Sequence, residues 1–443
     1  MRIDKRLTAD FTWVLSGNVL YSACQWGIVV ILAKLGSPQQ VGEYALGLAV
    51  SAPVILFATF QLRALLASDV RDHFAFGQYL TFRLVSLGAA LVVVAGVATL
   101  TEPSARIAEI TLLLGLAQTL DAVSETYYGF MQRHDRIDRL STSLLLKGPL
   151  SLAALWGAMY ITRDVLWAIV GLIAGRLLIL LTWDSRLAFA ASACGGSSRP
   201  AEALRLRWNA VCMLDLLRLA FPLGVISMLV SLNASIPRFF VEAHRGSAEL
   251  GIFSAIASLL SAGSLVVSAY GQSIFLPVAQ ACAQGDRTRF RTFVLLAGAL
   301  GGVLGGAAVL LAGWFGPAIL THLFRKEYAI YSDIFVRLMI AGTVMFVGSG
   351  LGYVMTAARS LRPQIPLLIA SAAAAAAVSA WSIPRYGLRG AADAVLAAAL
   401  VQLVGGAVIL LRIDRRLSGR AIPLPDMRNI ATPEQRSVEV GTV

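Results

Sequence analysis

The stretch GSPQQVGEYALGLAVSAPVILF at residues 36–57 returns in altered form as GSAELGIFSAIASLLSAGSLVV at residues 246–267. Both begin with Gly-Ser and continue, after a short spacer, with an aliphatic residue, a glycine (Gly42 and Gly251) and an aromatic residue two positions later. One residue must be gapped to align them. Each stretch is apolar over about 20 residues, enough to cross a membrane as a helix. The sequence therefore predicts a chain built from two related halves.

A second echo occupies matching places in the two halves. YYGFMQRHDR, from Tyr127, and GLGYVMTAARS, from Gly350, each fall at the predicted end of the fourth helix of a half. Two echoes in the same order favour an internal repeat over chance similarity between apolar segments. Repeat-built transporters bind substrate between their halves and alternate access across that interface.

The composition indicates a membrane protein. The 443 residues are 57% hydrophobic and 14% charged, and their mean hydropathy is +0.73. Apolar runs recur from residues 13–34 to residues 389–411. We predict an all-α polytopic membrane protein with about 12 transmembrane helices in two parallel six-helix lobes. These lobes surround a central cavity and are related by a pseudo-two-fold axis along the membrane normal. The predicted divisions are residues 1–214, residues 215–412 and a disordered cytoplasmic tail at 413–443.

Basic residues predict the orientation. With the N-terminus in the cytoplasm, most of the 37 Lys and Arg residues fall in cytoplasmic loops. We therefore expect both termini on the cytoplasmic side of the membrane. The N-terminal segment shows no short apolar region with a small-residue cleavage site, so we expect it to be retained. The net charge of +12 is attributed to these loops and to anionic membrane lipids, and no nucleic acid is expected as a partner.

The sequence lacks the motifs that several kinds of chemistry require. The sequence contains no GxxxxGK[ST] phosphate-binding loop. Cysteines and histidines are scattered, so neither a disulfide framework, a metal site nor a cofactor is expected; they are Cys24, Cys194, Cys212, Cys282, His73, His134, His244 and His322. No loop is long enough for a catalytic domain. We expect a protein that is not an enzyme.

Charged residues within the predicted spans are the candidate functional residues, because such charges usually face a cavity or a partner. The basic ones are Arg63, Arg83, Lys147, Arg176, Arg218, Arg238 and Arg337, and the acids well inside spans are Asp121, Glu125 and Asp393. Arg176 is the deepest. Two interpretations remain open for Asp121, Glu125, Lys147 and Arg176: a structural ion cluster that holds helices four to six together, or the polar wall of a cavity.

Other charges lie closer to helix ends. Arg337 follows Asp333 by four residues and Arg218 follows Asp215 by three, so local salt bridges explain both. Arg238 follows Pro237 near the outer end of the seventh span and suits either a gate or the membrane interface.

Arg63 lies in FATFQLRALLASD, residues 57–69. It is predicted near the cytoplasmic end of the second span, at a depth similar to that of Arg83, so the two could meet at the cytoplasmic mouth. Arg63 either reaches for the membrane surface or binds a negatively charged group as it enters.

GNVLYSACQWGIVVILAKLGSPQQVGEYALGLAVSAPVILFATFQLRALLASD, residues 17–69, resembles the N-terminal region of Wzx-type polysaccharide flippases of the multidrug/oligosaccharidyl-lipid/polysaccharide (MOP) superfamily. SIPRFFVE, from Ser235, followed by LGIFSAIASL, from Leu250, resembles the region that opens their second half. The resemblance implies a V-shaped helical bundle that moves an undecaprenyl-diphosphate-linked oligosaccharide, a polysaccharide or O-antigen repeat unit, from the inner to the outer leaflet. Partners could include a polysaccharide polymerase and other assembly proteins.

The excess of basic residues in the spans suits this anionic cargo, since Arg grips phosphate in bidentate fashion. The candidate substrate-binding residues are Arg63, Arg83, Lys147, Arg176, Arg238 and Arg337, with Asp121 and Glu125 as countercharges or ion-coupling groups. One alternative is a cation-coupled drug exporter of the same fold. Such an exporter is expected to carry its cation-binding acid in the first or seventh helix, but Asp121 or Glu125 could fill that role instead. A second alternative is a membrane-embedded glycosyltransferase.

Overall fold

The structure, a computed structural model, describes residues 2–69, 73–101, 104–134, 136–186, 206–358, 360 and 362–417. All the regular elements in these ranges are helical, and twelve helical segments are long and apolar enough to cross a membrane. The predicted class, an all-α polytopic membrane protein, is thereby confirmed.

Six spans form the first half and six the second. The first half contains α1 (Arg2–Leu35), α2 (Pro38–Thr59) continued by α3 (Leu62–Ser68), α4 (Phe76–Thr101), α5 (Ala105–Arg133), α6 (Ile137–Thr162) and α7 (Val165–Ile179), which ends in a π-helical turn (Leu180–Asp184). The second half contains α8 (Ala210–Arg245), α9 (Ser247–Ser258) continued by α10 (Leu260–Gln284), α11 (Arg287–Leu323), a 3₁₀ turn (Lys326–Tyr331) leading into α12 (Ser332–Ala357), α13 (Gln364–Tyr386) and α14 (Leu388–Leu417).

Two predicted boundaries differ from the structure. The last helix continues to Leu417, because Asp414 accepts two hydrogen bonds from each of Arg287 and Arg291 on α11. Residues 413–417 of the predicted tail are therefore helical, while residues 418–443 lie outside the described part of the chain, as do residues 187–205 of the predicted linker. The second half, predicted to begin at residue 215, begins with α8 at Ala210, because Asn209 caps the helix there; residues 206–209 have no regular secondary structure.

The two halves share one pattern of helix contacts. In the first half α1 packs on α6, α6 on α7, α5 on both α4 and α7, and α2 on both α4 and α5. In the second half the equivalent helices pack in the same way: α8 on α13, α13 on α14, α12 on both α11 and α14, and α10 on both α11 and α12. The repeat predicted from the sequence is thus a repeat of tertiary packing, and each half forms a six-helix lobe.

The core that the lobes share is far more extensive at one end of the bundle than at the other. We call the side on which α1 begins the N-terminal side and the opposite side the far side. On the far side a single apolar cluster joins both lobes, with Leu32 and Tyr44 packed in the same core as Phe253 and Tyr328. On the N-terminal side the described apolar clusters belong to one lobe or the other, and α8 alone joins a cluster of the opposite lobe through Leu216 and Ala220. The gap between the lobes therefore opens toward the N-terminal side.

The paired glycines of the sequence echo lie at the far-side contact. A Cβ atom on Gly42 would lie 1.8 Å from the carbonyl oxygen of Ser247, and one on Gly251 would lie 1.8 Å from the carbonyl oxygen of Pro38. Each glycine thus admits the first turn of the other lobe's helix. Any side chain at either position would force the helices apart.

The second span is broken where the sequence predicts a continuous helix. Phe60 and Gln61 both adopt left-handed backbone conformations, and α3 begins immediately afterwards. Phe60 packs closely against Gly224 of α8, and the Gln61 side chain donates to the hydroxyl of Ser227, 3.0 Å away. Contact with the other lobe therefore accompanies the break, which places Arg63 on a separate short helix.

Candidate functional site

A cavity of about 370 Å³ lies within the first lobe. Its wall combines apolar residues with a small set of polar ones, namely Tyr21 and Gln25 of α1, Tyr44 of α2, Gln118 and Asp121 of α5, and Arg176 of α7. Apolar pockets with a few convergent polar groups are the usual form of a small-molecule site.

Close helix packing brings the charged groups of this cavity together. A Cβ atom on Gly175 would lie 2.8 Å from the Cα of Ser151, and one on Gly171 would lie 2.6 Å from the carbonyl oxygen of Ala154. These glycines are four residues apart, on one face of α7, and let it approach α6. The close approach sets Arg176 beside Lys147.

Asp121 joins both cations. Its Oδ1 lies 2.6 Å from the Nζ of Lys147, and its Oδ2 lies 2.8 Å from a terminal nitrogen of Arg176. The Lys147 and Arg176 side chains are only 2% and 6% exposed, whereas that of Asp121 is 24% exposed. We call these three residues the Asp121 cluster. It ties helices α5, α6 and α7 together and also forms one wall of the cavity.

The remaining partners of Arg176 are neutral. Its guanidinium donates to the carbonyl oxygen of Ala117 at 2.9 Å and to the side-chain oxygen of Gln25 at 3.3 Å. Tyr21, on the same helix as Gln25, interacts through its hydroxyl with both Gln25 and Asp121. The Asp121 cluster taken by itself therefore has a net charge of +1, from two cations and one carboxylate, and of its members Asp121 and Arg176 line the cavity.

Glu125 lies outside the Asp121 cluster. It interacts electrostatically with Arg83, and neither Lys147 nor Arg176 lies within ion-pair distance of it in the described structure. The four-residue spacing from Asp121 predicts a shared helix face. The structure, however, gives the two acids different cationic neighbours.

Arg63 and Lys147 flank one aromatic ring. The Arg63 guanidinium and the Lys147 ammonium each lie 5.8 Å from the centroid of the Tyr128 ring, a cation–π distance. Among the described residues, no carboxylate lies within ion-pair distance of Arg63, which is partly exposed on the N-terminal side. Arg63, Tyr128 and Lys147 thus connect the N-terminal side to the Asp121 cluster.

Arg83 does not meet Arg63 in the structure. Its side chain is fully buried and donates to the carbonyl oxygen of Thr59 at 2.8 Å and to the hydroxyl of Thr126 at 2.9 Å. Thr59 is the last residue of α2, so Arg83 binds a carbonyl group freed by the break in the second span. In this conformation Arg83 supports the helix end.

The second lobe contributes one cation near the cavity. Arg238 of α8 is partly buried and interacts electrostatically with the hydroxyl group of Tyr44, which also interacts with Arg176. Tyr44 thus lies between cations of the two lobes. Among the described residues, no carboxylate lies within 4 Å of Arg238.

Arg337 pairs across helices, in contrast to the local bridge that the sequence suggests. It lies 3.5 Å from Asp393 of α14, while Asp333 pairs with Arg389 at 2.7 Å. These two exposed bridges join α12 to α14, far from the Asp121 cluster in the first lobe. Arg218 is exposed, and within the described residues no ion pair with Asp215 is formed.

Sequence reasoning missed Asp184, a fully buried acid at the end of the π-helical turn. Its carboxylate accepts a short hydrogen bond from the Ser143 hydroxyl and a longer one, 3.5 Å, from Tyr128, and it also interacts electrostatically with Lys147. Asp184 is the last residue of its span, and an acid at the end of a span is ordinarily assumed to reach water. The sequence signal that could have revealed Asp184 is the set of hydroxyl residues in YYGF and STS, which lie at helical spacing on the neighbouring spans.

The comparisons with known proteins agree with this architecture. The polysaccharide biosynthesis protein family matches residues 7–281, more than half of the chain. The chain belongs to the polysaccharide biosynthesis protein family. A similar protein is the capsular polysaccharide biosynthesis protein CapF of Staphylococcus aureus, 24% identical over 399 residues that cover 90% of this chain and 98% of CapF.

Solved structures share the fold. A multidrug resistance MATE family transporter of the MOP superfamily, in an inward-facing conformation, superposes with a TM-score of 0.70 at 14% identity, covering 90% of this chain and 94% of that one. The lipid II flippase MurJ, in an inward closed conformation, gives 0.66 at 10% identity, covering 91% and 89%. The family member described here therefore has the MOP superfamily fold and is a multi-pass membrane protein.

Proposed function

We propose that this protein is a flippase that moves an undecaprenyl-diphosphate-linked oligosaccharide from the inner to the outer leaflet of the bacterial cytoplasmic membrane. Its termini would lie in the cytoplasm, so the gap between the lobes would open to the leaflet in which the cargo is made. Membership of a polysaccharide biosynthesis family and a fold shared with a lipid II flippase support this proposal.

The observation that carries the proposal is the pair of buried cations at the cavity. Both side chains are almost inaccessible to water; Arg176 lines the cavity, and Lys147 lies behind the Asp121 carboxylate. Charged residues within a membrane span are costly and usually mark a functional site. A diphosphate in the cavity would accept hydrogen bonds from the forked donors of the Arg176 guanidinium.

The size of the cavity suggests which part of the cargo it holds. At about 370 Å³ it lies near the small end of ligand pockets, which span roughly 300–1,000 Å³. It suits the diphosphate and the first sugar, with Tyr21, Gln25 and Gln118 as hydrogen-bonding partners. The remaining sugars would occupy the gap between the lobes, and the lipid tail would stay in the bilayer.

Entry would begin at Arg63. It lies on the side to which the gap opens and has no carboxylate partner among the described residues. A diphosphate bound there could pass to Lys147 around the shared ring of Tyr128. Arg238 would meet the cargo from the second lobe, and movement of that lobe would then carry the site toward the far side.

The surroundings of both candidate coupling acids favour the flippase over a cation-coupled exporter. Asp121 already contacts two cations, and Glu125 interacts electrostatically with the buried Arg83.

Deletion of the gene tests the proposal. Cell-surface polysaccharide should be lost while lipid-linked repeat units accumulate on the inner leaflet, and Arg176→Ala should reproduce this defect with the protein still folded in the membrane. A deletion strain altered only in drug sensitivity would contradict the flippase assignment. Sugar transfer by the purified protein would establish an enzyme instead.

A further inference from the structure

The Asp121 carboxylate occupies the place that the cargo's phosphate would need. It lies between the two buried cations and the cavity, bound to Lys147 at 2.6 Å and Arg176 at 2.8 Å. It is the most exposed member of the Asp121 cluster, with 24% of its side chain accessible, so it faces the cavity directly. A phosphate that enters must either displace it or share both cations with it.

Without Asp121, the two cations have only neutral hydrogen-bonding partners close by. Arg176 keeps Ala117 and Gln25, and its Nε atom is buried without a partner among the described residues. Lys147 keeps the face of the Tyr128 ring and a more distant interaction with Asp184. Without Asp121, the empty protein would thus hold two buried and poorly neutralised charges beside the cavity, which is strongly unfavourable.

We propose that Asp121 is a resident counter-ion that competes with the cargo's phosphate for Lys147 and Arg176, and that this competition sets how readily the cargo is released. The inference rests on the proposed function, in which a phosphate reaches these cations. When the cargo binds, its oxygens take the donors of Lys147 and Arg176, and Asp121 turns toward Tyr21 and the cavity. When the cargo leaves, Asp121 pairs with both cations again, so the empty carrier returns without exposed positive charge in its core.

Asp121→Asn tests the competition, with inorganic pyrophosphate as the probe and the detergent-purified full chain as the sample. Asparagine keeps the shape of the side chain but removes its charge. If the cations are free of Asp121 for about a tenth of the time, its removal raises the apparent affinity for pyrophosphate about tenfold, because the competent fraction approaches one. Cargo translocation in cells should become slower, since release is no longer assisted.

Glu109→Gln is the matched control. It removes a carboxylate from the same helix, but Glu109 is exposed and lies three turns toward the far side of Asp121. Its pyrophosphate affinity should equal that of the wild type. Unchanged or weaker pyrophosphate binding by Asp121→Asn would overturn the inference.

Loss of folding in Asp121→Asn would still give an answer. Removal of one partner from a buried ion pair is strongly destabilising, so the variant should melt at a lower temperature than the wild type. Pyrophosphate, but not chloride of equal ionic strength, should restore the melting temperature. If pyrophosphate does not restore the melting temperature, Asp121 has a structural role only and the inference is wrong.

The two proposals fail differently. If Asp121→Asn gains pyrophosphate affinity but the gene deletion leaves surface polysaccharide unchanged, the anion site stands and the proposed cargo is wrong. If the deletion blocks polysaccharide export while pyrophosphate binds both proteins equally, the flippase stands and the resident counter-ion is wrong.

Discussion

Arg63 and Arg83 have the same side chain and similar predicted depth, but the structure gives them different surroundings. Arg83 is fully buried and satisfies the Thr59 carbonyl and the Thr126 hydroxyl. Arg63 is partly exposed over the Tyr128 ring. Sequence hydropathy places both near a helix end. It cannot show that the second span breaks after Thr59 and that Arg83 binds the carbonyl group freed there.

Methionine substitutions should separate the two arginines. Arg83→Met should lower the melting temperature in detergent, because each buried acceptor left unsatisfied costs about 1–3 kcal/mol. Arg63→Met should leave the melting temperature within experimental error and slow translocation, because it removes only an entrance charge. A melting temperature that falls equally in both variants would contradict this distinction.

Asp164 provides a pH-dependent contribution at the far side. A hydrogen-bonded ion pair with Arg106, 2.5 Å long, lowers the pKa of the Asp164 carboxyl below its ordinary value. Because the folded pKa lies below the unfolded one, the pair stabilises the protein fully above about pH 4 and loses this effect as the pH falls through the folded pKa. Asp164 also caps α7 by accepting from the amide of Leu166.

Two substitutions at Asp164 separate these contributions. Asp164→Asn keeps a capping side chain, so its melting temperature should fall below that of the wild type at neutral pH and converge with it in acid. Asp164→Ala loses the cap as well, which costs about 1 kcal/mol, and should stay less stable at every pH. Parallel pH profiles for the wild type and Asp164→Asn would exclude the ion pair as the cause.

At the scale of helices, the paired glycines control how closely the lobes approach on the far side. Arg325 of the second lobe donates to the carbonyl oxygen of Lys34 at 2.8 Å, so both residues report on this contact. In a cysteine-free background, a bifunctional maleimide should cross-link Lys34→Cys to Arg325→Cys. Gly42→Ala should reduce the yield of cross-linked protein strongly, because the added Cβ would overlap the Ser247 carbonyl group.

Gly88→Ala is the control for this experiment. A Cβ atom on Gly88, within α4, would meet no atom within 4 Å. The two substitutions therefore add the same methyl group to a helix, and only one adds it at the lobe contact. Equal cross-linking yields in both variants would mean that the glycines do not limit how closely the lobes approach.

The features of the helices that could be predicted are those that follow from hydropathy and residue spacing. Twelve spans, two halves and the echo at Gly42 and Gly251 follow from apolar length and local repetition. The bridge from Arg337 to Asp393 and the clamp on Asp414 do not, because their partners are distant in sequence and similar residues lie closer along the chain. The association of Asp121 with Lys147 and Arg176 was among the possibilities because all three are charges that a bilayer would not tolerate alone.

For the whole molecule, the distribution of the core predicts which side reaches the cavity. A large shared cluster closes the far side, whereas on the N-terminal side the described clusters are joined across the lobes through α8 alone. In a cysteine-free background, a membrane-impermeant thiol reagent should label Gln118→Cys, in the cavity wall, only from the side that holds the N-terminus. Ile330→Cys, exposed in the far-side turn, should be labelled only from the opposite side. Labelling of Gln118→Cys from the far side without cargo would contradict the arrangement.

The reciprocal seating of Gly42 and Gly251 has a consequence for the origin of the chain. Each glycine receives the other lobe's helix start, so one surface patch meets its own copy, as in an isologous dimer with two-fold symmetry. A six-helix ancestor with this patch would already have been self-complementary and could have assembled as a homodimer. Fusion of two such copies would then have required only the connection between α7 and α8, and afterwards each half was free to diverge. The buried cations Lys147 and Arg176 remain on one half, while Asn233 and Ser371 hydrogen-bond within the other.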